Sequence, residues 1–367
     1  MKSDLPDVIG RFQFAGHFLD AIPYGFGHIN DTYAVRCQLP DGRTRRYILQ
    51  RINRNVFKHP RQVMHNMERV TTHLRAKIIA AGGDPEREAV SLIPTVDGAS
   101  YYVSAAGDYW RAQRFIEGAQ SYQVADSLDV YYAAAGAYGR FLNMLDDFPA
   151  DELNATIPDF HHTPKRFQTF VRAVEEDRAG RAAAVRPEID FILDRAEETG
   201  VLIALFEQGL MPNRVTHNDT KFENVMIDDE SGQGVCVIDL DTVMPGFAVF
   251  DFGDSVRSGA TTAAEDEPDT FKVHFDLAVF ERLAQGFLEE TRDVLTPVEI
   301  EHLAFGAKLI TFEQAIRFLS DYLDGDVYYK TRHERHNLDR CCTQVKLVSE
   351  MEASFDEMSR IVRRYAK

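Results

Sequence analysis

The chain has 367 residues, with 41 Lys plus Arg against 58 Asp plus Glu, so the formal net charge is 41 − 58 = −17. An acidic balance with no basic block excludes a protein built to hold a polyanion, whether nucleic acid or an anionic membrane, because each phosphate contact requires a cation. With 44% hydrophobic and 27% charged residues the chain is neither disordered nor fibrous, and its length suits two domains or one large two-lobed one.

Met1 to Asp7 carries no apolar leader, and no apolar run approaches the ~18 to 20 residues of a membrane-spanning helix, so a cytoplasmic location is expected. Residues 17–53 alternate as paired strands: an apolar stretch ending at Tyr24, then Gly25-Phe26-Gly27-His28, a strand from Asn30 to Cys37, a turn at Pro40-Asp41-Gly42, and Tyr47-Ile48-Leu49. From Arg61 to Ala81, Val63, Met67, Val70, Leu74 and Ile78 recur with a helical period until Gly82-Gly83 stops the run. Short strands follow at Val90 to Pro94, Tyr101 to Ser104 and Tyr109 to Ile116. The composition then turns helical: Leu128 to Leu145, Phe167 to Val174, Ile189 to Phe206, Phe275 to Leu288 and Pro297 to Leu323. The exception is Arg214 to Val243, a polar loop followed by strands at Asn224 to Ile227 and Gly234 to Leu240. The expected organisation is α+β, with a small β-rich lobe over residues 1–117 carrying one long helix and a larger, mainly helical lobe over 118–367.

Metal patterns built on histidine fail. His333-Glu334-Arg335-His336 is one residue short of H-E-x-x-H, and His161-His162 lacks companions, so both read as polar loops. Cys37, Cys236, Cys341 and Cys342 form no C-x-x-C pair and read as thiols. Ala263 to Pro268 reads as an acidic surface loop.

The chemistry is concentrated in His217-Asn218-Asp219-Thr220-Lys221-Phe222-Glu223-Asn224 and Val235-Cys236-Val237-Ile238-Asp239-Leu240-Asp241. An Asp, an Asn five residues on, and an Asp ending an apolar strand about fifteen further repeat the spacing of a kinase catalytic loop and its metal-binding aspartate. A hydroxyl that attacks a γ-phosphorus needs a proton acceptor, which Asp219 supplies. Magnesium takes oxygen ligands and keeps several waters, so the Asn224 amide and the Asp239 carboxylate suffice beside the phosphates of ATP. Asp241, two residues on in an extended strand, is expected on the same side, taking a second metal or ordering a water. Asp251-Phe252-Gly253 spells D-F-G but lies 32 residues after Asp219, against 20 for Asp239, so Asp251 is expected, with His217, to order the catalytic loop.

Upstream, Gly25 and Gly27 let backbone amides approach phosphate oxygens. A third-strand cation should follow, yet the strand reads Tyr47-Ile48-Leu49-Gln50-Arg51 without lysine. The position is filled by Gln50 or served by Arg51, which charge favours, and Glu68 on the long helix is the expected partner. Gln113 to Ile116 offers backbone groups to an adenine edge.

On these motifs the chain resembles the aminoglycoside phosphotransferase and choline kinase superfamily over nearly its whole length. Gly25 to Tyr33, His217 to Lys221 and Val237 to Gly246 are similar to the bacterial N-acetylhexosamine 1-kinases. The resemblance implies a two-lobed protein-kinase-like fold, ATP as donor, Asp219 as base, Asn224 and Asp239 as magnesium ligands, and a small sugar acceptor. Planar and aromatic groups suited to a sugar, His28, Arg317 and Tyr328, are the acceptor candidates, and the resemblance points to the same places. The competing readings are a kinase of another small alcohol (an aminoglycoside, choline or homoserine) and a non-catalytic nucleotide-binding protein.

Overall fold

The structure, a computed structural model, describes residues 5–25, 29–125 and 127–367. In chain order the elements begin with α1 (Leu5–Ile9), β1 (His17–Pro23), β2 (Asp31–Gln38), β3 (Thr44–Arg51), α2 (Pro60–Ala80), α3 (Pro85–Glu88), β4 (Leu92–Ile93), β5 (Tyr102–Val103), β6 (Tyr109–Arg114) and β7 (Ala119–Gln120). Then follow α4 (Leu128–Met144), α5 (Thr163–Glu176), α6 (Arg186–Leu193), α7 (Val201–Glu207), β8 (Arg214–Thr216), β9 (Val225–Asp228) and β10 (Gly234–Val237). The chain closes with α8 (Ala248–Gly259), α9 (Leu277–Thr291), α10 (Pro297–Leu323), α11 (His336–Ala353) and α12 (Phe355–Tyr365). No helix among the described residues is long and apolar enough to cross a membrane, and all four cysteines are free.

The chain forms two compact units, neither continuous in sequence. One comprises Met1–Ser121, Asp147–Pro158 and Glu223–Pro245; the other comprises Tyr122–Asp146, Asp159–Phe222 and Gly246–Lys367.

In the first unit an antiparallel sheet runs in the order β1-β2-β3-β6-β4, with β5 on β6. The β2–β3 turn closes because Gly42 takes a positive φ of 83° and donates to the Leu39 carbonyl at 2.9 Å. One face of the sheet buries Val35, Cys37, Tyr47, Leu49, Trp110 and Ala112 beneath Val8, Ile9 and Phe12. The apolar positions expected on the long helix, Val63, Met67, Val70, Leu74 and Ile78, are all buried on α2. That helix stops where Gly82, at φ 80°, and Gly83 return their amides to Ile79 and Ile78. The later segments join this unit through Asn66. Its amide nitrogen donates to the Asn154 carbonyl at 2.8 Å and the Val243 carbonyl at 3.0 Å, and its oxygen accepts from Asn154 N at 2.9 Å. A smaller sheet, β10-β9-β7, carries the 223–245 segment.

The second unit is helical. α10 runs from Pro297 to Leu323 as expected, started by a capping box in which Thr296 and Glu299 satisfy each other's backbone N–H groups. Ile189 to Phe206, expected as one helix, breaks after α6. Arg195 lies 3.5 Å over the Phe191 ring and forks onto Glu352 at 2.8 and 2.7 Å, a tertiary bridge that overrides the apolar period. The D-F-G string lies on α8. A Cβ on Gly253 would come within 2.6 Å of the Gly306 carbonyl, so that glycine serves the crossing of α8 and α10. The 263–268 loop is tied down rather than merely solvated: Glu265 accepts from Arg257 at 2.8 Å, and Asp266 pairs with His336 at 2.9 Å.

Candidate active site

Within the second unit, the loop after β8 is built around an unusual backbone. Asn218 has a left-handed φ of 63°, a conformation disfavoured for most non-glycine residues. Its side chain helps hold it there, with Oδ1 accepting from Thr216 Oγ1 at 3.1 Å. A Cβ at Gly246 would collide with Thr216 Oγ1 and lie 2.6 Å from Asn218 Oδ1, so only glycine leaves room for the turn. Asp251, on α8, accepts the His217 N–H at 2.8 Å and the Asn218 N–H at 2.7 Å, while its own carbonyl accepts from Thr220 Oγ1. Burial pushes the Asp251 carboxyl up to about 6, although His217, the two amide bonds and His161 all favour its charged form. Asp251 thus holds two amides of the loop from its place on α8. His217 is fully buried, edge-on to the rings of Tyr138 and Phe141.

The turn carries Asp219, partly exposed, with Lys221 Nζ 3.2 Å from Oδ1. Burial raises its pKa, but Lys221, His217 and Arg257 outweigh that and hold the carboxyl below its ordinary value. An ionised carboxylate beside a cation can accept a proton and orient the group that supplies it. Lys221 was not singled out from sequence, although its place two residues after Asp219 was visible there.

In the first unit β10 ends at Val237 rather than continuing to Leu240. One further backbone bond, Ile238 N to the Asn224 carbonyl at 2.9 Å, prolongs the β9–β10 hairpin and brings Asn224 beside the residue that precedes Asp239. Asp239 then turns left-handed, φ 58° and ψ 57°, and residues 240–242 form a 3-10 turn. The expectation that Asp241 shares the side of Asp239 in an extended strand is therefore corrected. Asp239 is exposed, whereas the Asp241 side chain is 4% exposed and engaged at both oxygens, by Arg111 Nη1 and by Asn30 Nδ2 at 2.6 Å. An amide oxygen and an exposed carboxylate at one hairpin end suit a hard cation that keeps waters. No cluster of three or more His, Cys, Asp or Glu able to hold a metal occurs among the described residues.

The third strand divides its two candidates between opposite faces. Arg51, at the end of β3, pairs with Asp31 (Nε to Oδ2 2.8 Å) and lies 3.6 Å from Asp108. Glu68 is exposed on α2 and accepts from Ser100 Oγ, so the expected Arg51–Glu68 pair does not form. Gln50 faces the other way. Its Oε1 accepts from Arg111 Nε at 2.9 Å and Gln113 Nε2 at 3.3 Å, and its Nε2 donates to Thr32 at 3.1 Å. The cation on this face is thus Arg111, from β6, a residue that sequence spacing did not single out. Gly25 has a positive φ of 85°, whereas Gly27 and His28 lie outside the described residues.

Back in the second unit, Arg317 on α10 stands 5.4 Å from the Phe160 ring and 5.8 Å from the Tyr329 ring, bonded to Gln314 at 3.0 Å. Tyr328 is 62% exposed and edge-on to Tyr329. Their loop is fixed by one carboxylate: Asp321 accepts the amides of Val327, Tyr328 and Tyr329 at 2.9, 2.7 and 3.0 Å. His161, read from sequence as a polar loop residue, is mostly enclosed and bridges Glu313 to the loop carrying Asn218.

Among the solved structures that share this fold, three illustrate the likeness. The chain is similar to an aminoglycoside phosphotransferase from Alicyclobacillus acidocaldarius, with 13% identity, a TM-score of 0.61, and 98% of this chain and 96% of that one covered. It is also similar to an amicoumacin kinase in complex with AMP-PNP and calcium (11% identity, TM-score 0.59, 94% and 93% covered). A microcompartment-associated aminopropanol kinase matches at 13% identity and TM-score 0.57, with 97% and 98% covered. The fold is the α+β, protein-kinase-like fold of small-molecule phosphotransferases. A family model described as the phosphotransferase enzyme family matches residues 20–285, and the chain belongs to that family.

Proposed function

We propose that the chain transfers the γ-phosphoryl group of ATP to the anomeric hydroxyl of an N-acetylhexosamine. The observation that carries the kinase reading is the Asn218 turn: a left-handed residue, gripped by Asp251, that presents an ionised Asp219 beside Lys221. In this reading Asp219 orients the acceptor hydroxyl and takes its proton, while Lys221 lies within reach to offset phosphate charge. Asn224 and the Asp239 carboxylate would hold magnesium, which supplies charge neutralisation at the nucleotide phosphates. The nucleotide analogue in the amicoumacin kinase complex supports ATP as donor.

The distribution of charge supports a neutral acceptor. Among the described residues Arg317 and Arg166 form no carboxylate ion pair, and the Arg166 guanidinium bonds to the Phe160 carbonyl at 3.3 and 3.0 Å. Guanidinium groups flanked by Phe160, Tyr328 and Tyr329 suit a neutral, oxygen-rich sugar better than a cationic amino alcohol.

The deciding experiment is magnesium-dependent ATP consumption across an acceptor panel of N-acetylglucosamine, N-acetylgalactosamine, glucose, choline, aminopropanol and kanamycin. The expected outcome is a clearly higher kcat/KM for the N-acetylated sugars, with an acid-labile phosphate at C1. Activity confined to cationic acceptors would overturn the sugar assignment and leave the kinase assignment standing.

A further inference from the structure

His161 lies between two hydrogen-bond acceptors. Its Nδ1 is 2.9 Å from Glu313 Oε1, and its Nε2 is 2.9 Å from the Asn218 carbonyl oxygen. A backbone carbonyl can only accept, so Nε2 must carry a hydrogen. Nδ1 then faces a carboxylate, and a neutral ring would turn a lone pair toward it. Glu313 is itself fully buried, and its second oxygen accepts from Thr163 Oγ1 at 2.6 Å. The arrangement is satisfied by a proton on each ring nitrogen and a negative charge on Glu313. The rings of Phe160 and Phe250, 4.4 and 5.3 Å away, wall the imidazole off, and its side chain is 9% exposed.

The Asn218 backbone is consequently held on both sides of its Cα, by groups of opposite charge. Its N–H donates to the Asp251 carboxylate and its C=O accepts from His161. The left-handed φ sets the angle between these two groups, so with the N–H held by Asp251 a change of φ would turn the C=O, and Asp219 after it, away from His161.

We propose that His161 is a positioning residue, held as an imidazolium by Glu313, that fixes the Asn218 turn and through it Asp219. The proposal rests on Asp219 as the proton acceptor but not on the identity of the acceptor molecule. The charged groups facing the ring are Glu313 and Arg317 from α10 and Asp251 from α8. Burial and Arg317 work against the charged ring, Glu313 and the Asn218 carbonyl favour it, and the sum raises its pKa above the ordinary value.

The test begins with the wild-type chain labelled with nitrogen-15 at histidine, without nucleotide or acceptor. At pH 7, above the ordinary imidazole value of about 6.5, one ring should show both nitrogens protonated, identified by its loss in His161→Gln or by through-space contacts with Phe160 and Phe250. In Glu313→Gln the amide can donate to a neutral ring, so both hydrogen bonds persist without the charge. The ring should then carry a single proton, and kcat should fall by about tenfold to a hundredfold with KM for ATP little changed, as expected when only alignment is lost. Turnover is followed with whichever acceptor the chain phosphorylates, so a wrong acceptor assignment leaves the test intact. A neutral His161 ring at pH 7 in the wild-type chain, or wild-type kcat in a folded Glu313→Gln, would overturn the proposal.

Discussion

Arg111 and Asp241 form an ion pair sealed from water, with side chains 0% and 4% exposed. Removing one member strands the other charge, which costs about 3 to 5 kcal/mol, whereas replacing both with apolar groups is close to neutral. Arg111→Met and Asp241→Leu should each lower the denaturant midpoint sharply, and the double variant should recover much of the loss. The same assignment separates Asp241 from Asp239. Calorimetry should find Mg-ATP affinity abolished in Asp239→Ala but retained in Asp241→Asn wherever the latter remains folded; an equal loss in both would return Asp241 to the metal.

Asp219→Asn keeps the size and most hydrogen bonds of the side chain while removing the proton acceptor. The fall in kcat should be on the order of 100-fold or more, with nucleotide affinity nearly unchanged. Single-turnover kinetics with near-normal rates would dismiss Asp219 as the base.

Turnover should also fall on the acid side of about pH 6, the value to which burial pushes Asp251. Protonation there removes the charge that holds the two loop amides, while Asp219, held below its ordinary value, stays ionised. In Asp251→Asn the acid limb should disappear and kcat should be lower at every pH. Stability runs the opposite way. The folded pKa lies above the unfolded value of roughly 4, so proton uptake by Asp251 favours the folded state. That contribution is complete below about pH 4 and is lost as pH rises through about 6. Melting curves of the wild type and the Asn variant across this window read both effects.

At the α8–α10 crossing, a methyl group at residue 253 would meet backbone on the opposite helix, which cannot rotate away as a side chain can. Gly253→Ala should therefore destabilise the protein by about 1 to 3 kcal/mol, measurable by chemical denaturation. A neutral substitution would mean that the helices separate freely.

On the proposed function, in which Arg317 pairs with an acceptor oxygen, Arg317→Ala should erode the preference for N-acetylated over plain sugars and alter turnover on plain sugars less. Equal loss on both would assign Arg317 to general architecture.

Periodic elements were legible in the sequence because each repeats a local rule many times. The apolar face of α2 and the extent of α10 are carried by short-range spacing and by the prolines that open both helices. The spacing from Asp219 to Asn224 and Asp239 was visible for the same reason. What was not legible depends on single long-range partners. Arg111 meets Asp241 across 130 positions and His161 meets Glu313 across 152, and no periodicity encodes either pair. The end of β10 was misjudged because Ile238 and Leu240 continue an apolar run that the left-handed Asp239 interrupts.

Asp321 grips the 327–329 segment solely by its main-chain amides. The path of that segment is therefore set by its backbone, so the exposed Val327 and Tyr328 can be exchanged without rebuilding the scaffold beneath them, whereas Tyr329 packs on Phe318. On the proposed function this segment borders the acceptor, and a saturation library over Val327 and Tyr328 is the economical place to begin redirecting the chain toward other substrates.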